Sequence, residues 1–377
     1  MEKARLYFVD NLRVLMITLV ITQHLSVTYG GVGGWYYFDG EPDQISGIVL
    51  TIHNAIDQSF FMGFLFLMSG YFTVGSYNRK GPRRFLKDRL LRLGIPLLLY
   101  DLVVDPIIVY VLQVEVQGYD GSVWRFLTSH FGRFHIGSGP LWFVETLLIF
   151  AVFYALWRAL AKTPTPAVRD NVMIPGNIAI AITALVLGVI TFAVRLWRPV
   201  GWGFAPLNLQ LPFFPQYICL FIVGTIAHRH DWLRRISEAT GRLWLCIAIV
   251  LIVIVLPAMF VLGGAVEDVT PYMGGVHWQC FAYAVWEQFV GIAMIIALLL
   301  LFRKRLNRQG KLAKAMSASA YTAYIIHAPI VVLATLAIRN ITLYPLLKFA
   351  LAGLICVPSS FALGNIIRKL PLAKKIL

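Results

Sequence analysis

The sequence predicts an all-α, polytopic membrane protein: a bundle of about ten transmembrane helices. Three observations carry this prediction. Hydrophobic residues fill 59% of the 377 positions and charged residues only 14%, with mean hydropathy +0.73. The apolar residues gather in repeated runs of roughly 20, the length that crosses a bilayer. The net charge of +15 is carried between those runs. That placement is the pattern of cytoplasmic loops in membrane proteins, and it argues against a nucleic-acid partner.

The spans fall at about 11–29, 58–76, 94–113, 141–160, 177–196, 213–228, 243–262, 280–302, 318–338 and 343–366. With the N-terminus inside, all 33 Lys and Arg residues lie on the inner side except Arg125, Arg133, Arg195, Arg198, Arg339 and Lys348. Such a bias predicts an even number of crossings and both termini in the cytoplasm. The first run follows Lys3 and Arg5, but it carries Arg13 and His24 and lacks a small-residue cleavage site. It reads as a retained helix and not as a signal peptide. The outer loops are acidic, with Asp39, Glu41 and Asp43 in one and Glu267 and Asp268 in another. Trp35, Tyr36 and Tyr37 suit interfacial anchoring or sugar stacking, and anchoring is the preferred reading. Cys219, Cys246, Cys280 and Cys356 form no close-spaced pair, so neither a disulfide framework nor a metal site is expected. The stretch 163–175 is the most linker-like piece. No separate soluble domain is expected, and 1–377 reads as one unit.

Ionisable groups at membrane depth are costly, so those inside the spans are the functional candidates. In the first span a helix brings Arg13 and His24 to nearly the same face, roughly 16 Å apart along the axis, with Asp10 on that side. The bland alternative makes Arg13 a snorkelling anchor and His24 a packing residue. In the second span Gly63, Ser69 and Gly70 suit close helix packing, with Ser69 the one exception considered. Arg89 and Arg92 follow one helical turn apart, and arginine's fork suits phosphate, although basic inner loops are general in membrane proteins. Asp101 and Asp105 share a face at i, i+4, where pairing with a base is the ordinary explanation. Glu145 opens the fourth span on the outer side, and Trp286 and Glu287 interrupt the eighth. In the ninth, Tyr321, Tyr324 and His327 recur every third residue, and Pro329 is expected to kink the helix.

Taken together, these pieces resemble the integral-membrane acyltransferase family 3 over about residues 5–370. The resemblance rests on Asp10-x-x-Arg13-x10-His24, on Ser69-Gly70-Tyr71 and on Arg89-Leu-Leu-Arg92-Leu-Gly-Ile-Pro96. It rests further on Leu141-Trp142-Phe143 and on Ser319-Ala-Tyr321-x-x-Tyr324-x-x-His327-x-Pro329. A narrower resemblance points to the branch that succinylates periplasmic glucans. The family resemblance implies transfer of an acyl group from a cytoplasmic acyl-coenzyme A to a hydroxyl of a carbohydrate or cell-envelope acceptor, in a bacterial inner membrane. It implies His24 as the catalytic imidazole, Arg13 as its companion, and Arg89 and Arg92 on the donor side. No permanently bound cofactor is expected, since acyl-coenzyme A is a substrate. Glu145 is added as an outer-side carboxylate on position alone, and Asp10, Tyr324 and His327 complete the candidates. Histidine is ordinarily neutral near pH 7 and can take a proton from a hydroxyl. Whether His24 acts as base or carries the acyl group stays open, as does the oligomeric state. The rival is a proton-coupled transporter, which would need the same intramembrane groups. A non-catalytic scaffold is the third possibility.

Overall fold

The computed structural model describes residues 5–132, 138–161, 174–204 and 207–376. Lys3, Arg133, Arg169 and most of the linker-like 163–175 lie outside the described residues. Among the described residues the structure is helical, and nine helical segments are long and apolar enough to cross a membrane. One of them, Gln44–Gln117, contains both the second and the third predicted spans. At 1.5 Å per residue its 74 residues would reach about 110 Å, far beyond one crossing. The chain turns back at Gly81, whose φ of 71° suits a residue without a Cβ, and Pro82 follows. Nine segments therefore hold the ten predicted spans. The principal helices are α1 (Tyr7–Thr28), α2 (Gln44–Arg89), α3 (Asp105–Gln117), α4 (Val123–Gly132), α5 (Trp142–Leu160) and α6 (Asn177–Arg195). They continue with α7 (Phe214–His230), α8 (Glu238–Val250), α9 (Trp278–Arg305), α10 (Lys311–Ala337) and α11 (Pro345–Ile367).

Helix–helix contact follows small residues. A Cβ on Gly70 of α2 would run into the Phe221 carbonyl of α7, and one on Gly224 into the Leu67 carbonyl, so these helices touch backbone to backbone. Gly364 of α11 meets Ala323 of α10 in the same way. The periphery is apolar: Leu160, Ile178, Val261, Leu262 and Leu354 are exposed, as lipid-facing side chains are.

Prolines set a second local rule. Three π-helical turns, Leu90–Gly94, Tyr100–Val104 and Leu251–Val255, each end two residues before a proline: Pro96, Pro106 and Pro257. A proline cannot donate to the carbonyl four residues back and its ring crowds that carbonyl, so the helix widens there. Pro96 leaves the Arg92 carbonyl without that donor, and the Tyr321 hydroxyl of α10 donates to it instead at 2.6 Å. Helix α10 itself runs on through Pro329 to Ala337.

Basic segments assemble at one end of the bundle. Asn11 donates to the Leu306 and Arg308 carbonyls, Arg303 donates to the Arg234 and Ile236 carbonyls, and Lys304 pairs with Glu238. At the opposite end Lys348 pairs with Asp39 at 2.6 Å, Arg339 with Glu115 at 3.0 Å and Arg195 with Glu287 at 2.7 Å. Three of the six bases that depart from the charge bias are thus tied to carboxylates. Asp43 caps α2 by accepting from the Ser46 amide, and it also accepts from the Tyr344 hydroxyl at 2.5 Å. Desolvation would raise this carboxyl, but those hydrogen bonds outweigh it and hold it at about 2.

Candidate active site

Two cavities enter the bundle from its two ends. The first, about 510 Å³, opens among the basic segments and is lined by Arg13, Arg79, Lys80, Arg89, Arg92 and His228, with Ser69 and Tyr321. None of its lining residues, among those described, is Asp or Glu. Arg13 reaches it from α1, where it pairs with Asp10 at 3.3 Å, while Asp10 also accepts from Arg5 at 2.7 Å. Asp10 and Arg13, expected on one side of the helix, form an ion pair, with the guanidinium over the Phe72 ring. Arg89 and Arg92 face the same space, beside the π turn that precedes Pro96.

The second cavity, about 640 Å³, opens at the other end and contains His24. Its walls are aromatic and amide: Trp35, Trp142, Phe213 and Tyr283 alternate with Gln23, Asn54, Gln58, Asn208 and Gln210. Among the described residues none lining it is Lys, Arg, Asp or Glu. Gln58 donates to the Tyr217 hydroxyl and Asn54 to the Val32 carbonyl, so some of these amides are already oriented. The buried Arg195–Glu287 pair lies behind this wall, with its guanidinium over the Phe213 and Tyr283 rings.

His24 belongs to a cluster of three near-parallel rings. Trp35 lies against it at 3.8 Å between centroids and 16° between planes, and His327 lies beside it at 5.2 Å and 12°, itself 6.2 Å from Trp35. The Nδ1 of His24 is buried without a partner. His327 Nδ1 bonds the Tyr324 carbonyl one turn back, while its Nε2 is buried and unpartnered. The two histidines that the sequence placed on separate helices thus belong to one site. Arg13 and His24 share a helix face but not a cavity: each serves a different one.

Glu145 stands elsewhere. It lines neither cavity; its buried carboxylate lies beside Ser138 and Asp101. Trp142, one turn earlier on α5, is the residue of that motif that reaches the His24 cavity. Asp105 accepts from the Tyr36 hydroxyl and lies 3.9 Å from His130 Nε2, so this carboxylate has partners within the bundle. Burial, the Tyr100 hydroxyl and the Asp105 carboxylate together raise the Tyr36 phenol well above its ordinary value.

Interfacial anchoring of Trp35 and Tyr36 is corrected by the structure, because the first loop folds inward and delivers both rings to the bundle. The legible signal was Gly30-Gly31-Val32-Gly33-Gly34 just ahead of them. A Cβ at Gly31 would strike Ser26 and Asn54, so only a glycine-rich segment descends this closely onto α1 and α2. His228 and the five amides carried no comparable signal.

Comparison with known proteins follows the same lines. The family model described as "Acyltransferase domain" matches residues 6–365. The chain is similar to "Glucans biosynthesis protein C" of Salmonella heidelberg (strain SL476), 24% identical over 350 residues, covering 86% of this chain and 82% of that protein. The protein of the same name from Escherichia coli (strain SMS-3-5 / SECEC) is 34% identical over 94 residues, covering 25% of this chain and 23% of that protein. No solved structure matches.

Proposed function

The chain belongs to the acyltransferase family whose model spans residues 6–365, and from that premise we propose that it moves an acyl group from an acyl-coenzyme A to a hydroxyl of a neutral carbohydrate acceptor. The observation that carries this reading is the opposite chemistry of the two cavities. A basin lined by Arg13, Arg79, Lys80, Arg89 and Arg92, with no carboxylate among the described residues, suits a ligand bearing several phosphates. The His24 cavity is uncharged, rich in rings and amides, and suits a polyhydroxylated ligand that stacks and hydrogen-bonds. Similarity to glucans biosynthesis proteins supports a glucan as the acceptor class.

In this reading the phosphates are held at the basic cavity and the thin pantetheine arm carries the thioester toward His24. His24 takes the proton of the acceptor hydroxyl as its oxygen attacks the thioester carbon. The C–O bond forms, the C–S bond breaks, and the thiolate leaves with a proton returned from the imidazolium. The His24 imidazolium would be flanked by the Trp35 ring, whose face favours a cation. Arg13 contributes at the donor end, since it opens into the other cavity.

A transporter would also join two cavities. A single solute would then have to be favoured first by a cluster of bases and next by an uncharged aromatic chamber, and this mismatch supports two different ligands. The test is transfer by the full-length protein in proteoliposomes, with acetyl- or succinyl-coenzyme A on the basic side and a neutral glucan oligosaccharide on the other. An ester mass shift on the oligosaccharide is expected; donor or sugar crossing the membrane unmodified would support the transporter.

A further inference from the structure

Among the described residues, one lines both cavities. Tyr324 of α10 borders the basic cavity beside Arg89, Phe143 and Tyr321, and borders the His24 cavity beside Trp142 and Pro140. Its ring packs edge-on against Phe143 at 5.9 Å and lies 5.5 Å from the His327 ring. Its hydroxyl donates to the carbonyl of Pro140, a residue that itself lines the His24 cavity, and this bond fastens the ring between the two cavities. The receiving turn is built for close approach. Gly139 has φ of 45° and a Cβ there would strike the Tyr36 hydroxyl and meet Tyr100.

We propose that Tyr324 is the door between a donor compartment and an acceptor compartment, latched by its hydroxyl on the Pro140 carbonyl. With the latch made, the basic cavity and His24 are separate. A donor arm that displaces the ring fills the opening it creates, so the two aqueous spaces are never joined while the thioester is exposed to His24. That arrangement keeps water from the basic side off the reacting carbon. Tyr324 is a positioning residue here. The hinge side of the door is stiff, because the Tyr324 carbonyl is bonded by His327 Nδ1 and the neighbouring Tyr321 is tied to the Arg92 carbonyl. Side-chain rotation, not helix movement, opens it.

The separation itself needs no assumption about catalysis, whereas its role in protecting the thioester rests on the acyl-transfer reading. Ser69 lines only the basic cavity, so a cysteine placed there reports who reaches that space. Ser69→Cys protein in sealed vesicles is treated with a small anionic methanethiosulfonate, applied from the side of the first loop, above the background of the four natural cysteines. The introduced thiol should stay unmodified with Tyr324 present and react in the Tyr324→Ala background. Reagent from the basic side should label both equally, which also shows that the variant is folded. Equal labelling from the loop side with and without Tyr324 would overturn the proposal, and so would protection that persists in Tyr324→Ala. Tyr324→Phe keeps the ring and removes only the latch. Hydrolysis of acetyl-coenzyme A without acceptor should then rise about two- to tenfold, the factor that one neutral hydrogen bond supplies. Unchanged hydrolysis alongside an altered labelling pattern would leave the door and remove its assigned role in acyl transfer.

Discussion

Replacing His24 by alanine separates chemistry from packing, because the two effects differ in size. The imidazole packs against both Trp35 and His327, so its removal forfeits two ring pairs. Such pairs contribute about 0.5–1.5 kcal/mol each, which bounds the stability loss near 1–3 kcal/mol. The arginines of the donor cavity lie on the other side of Tyr324 and are untouched, so donor affinity should hold within a factor of two or three. Loss of a general base lowers the rate by about 10²–10⁴-fold, equivalent to roughly 2.7–5.4 kcal/mol of barrier. The assay pairs acyl-coenzyme A binding to detergent-solubilised protein with ester formation on a neutral glucan oligosaccharide, both corrected for the folded fraction. Expected is near-normal binding with transfer reduced at least a hundredfold. Folded His24→Ala protein transferring at near-normal rate would refute the assignment. In that event His327→Ala becomes the decisive variant, since His327 is the other imidazole of the stack.

Arg92→Ala should weaken acyl-coenzyme A binding about tenfold or more, the worth of a hydrogen bond to a charged group. Arg242→Ala, which removes an exposed base paired with Glu238 on the same end of the bundle, should not; equal effects would reduce the donor site to bulk charge. Glu287→Gln leaves the Arg195 guanidinium charged at 0% exposure, so thermal unfolding should reveal a loss of about 3–5 kcal/mol. Replacing both partners by leucine should recover much of that stability, and a double variant as damaged as the single one would contradict the account. Reporters fused after Lys80, Arg235 or Arg308 should score cytoplasmic, and those within 39–43 or 267–268 external. A cytoplasmic score for either acidic loop would overturn the ten-span topology. Stability contributed by Asp43 should be intact above about pH 4 and fade as pH falls through about 2, because its folded carboxyl is depressed. Hydrogen exchange at the start of α2 reads this directly; exchange that stays flat down to about pH 2 would exclude the cap as a stabilising contact.

Which parts of this could be read from the chain alone follows from the range of each interaction. Span length, the acidic and basic loops and the shared side of Asp10 and Arg13 are fixed by neighbours in sequence and by the bilayer's thickness. They were legible, as were the motifs carried by Arg89, Arg92 and His24. The π turns before Pro96, Pro106 and Pro257 obey an equally local rule. Tertiary structure decided what long-range packing decides. The glycines ahead of Trp35 permit its loop to descend closely, but nothing near them in sequence says that the ring will meet His24. Nothing near His327 says that α10 will bring it to the same stack, or that Tyr324 will stand between two cavities while Glu145 lines neither. Those facts depend on where small residues such as Gly70, Gly224 and Gly364 let whole helices touch. A one-residue shift of register at such a contact would turn the facing side chains by about 100°. The sequence therefore determined a membrane acyltransferase with its chemical groups in hand, and only the assembled bundle determined which of them meet.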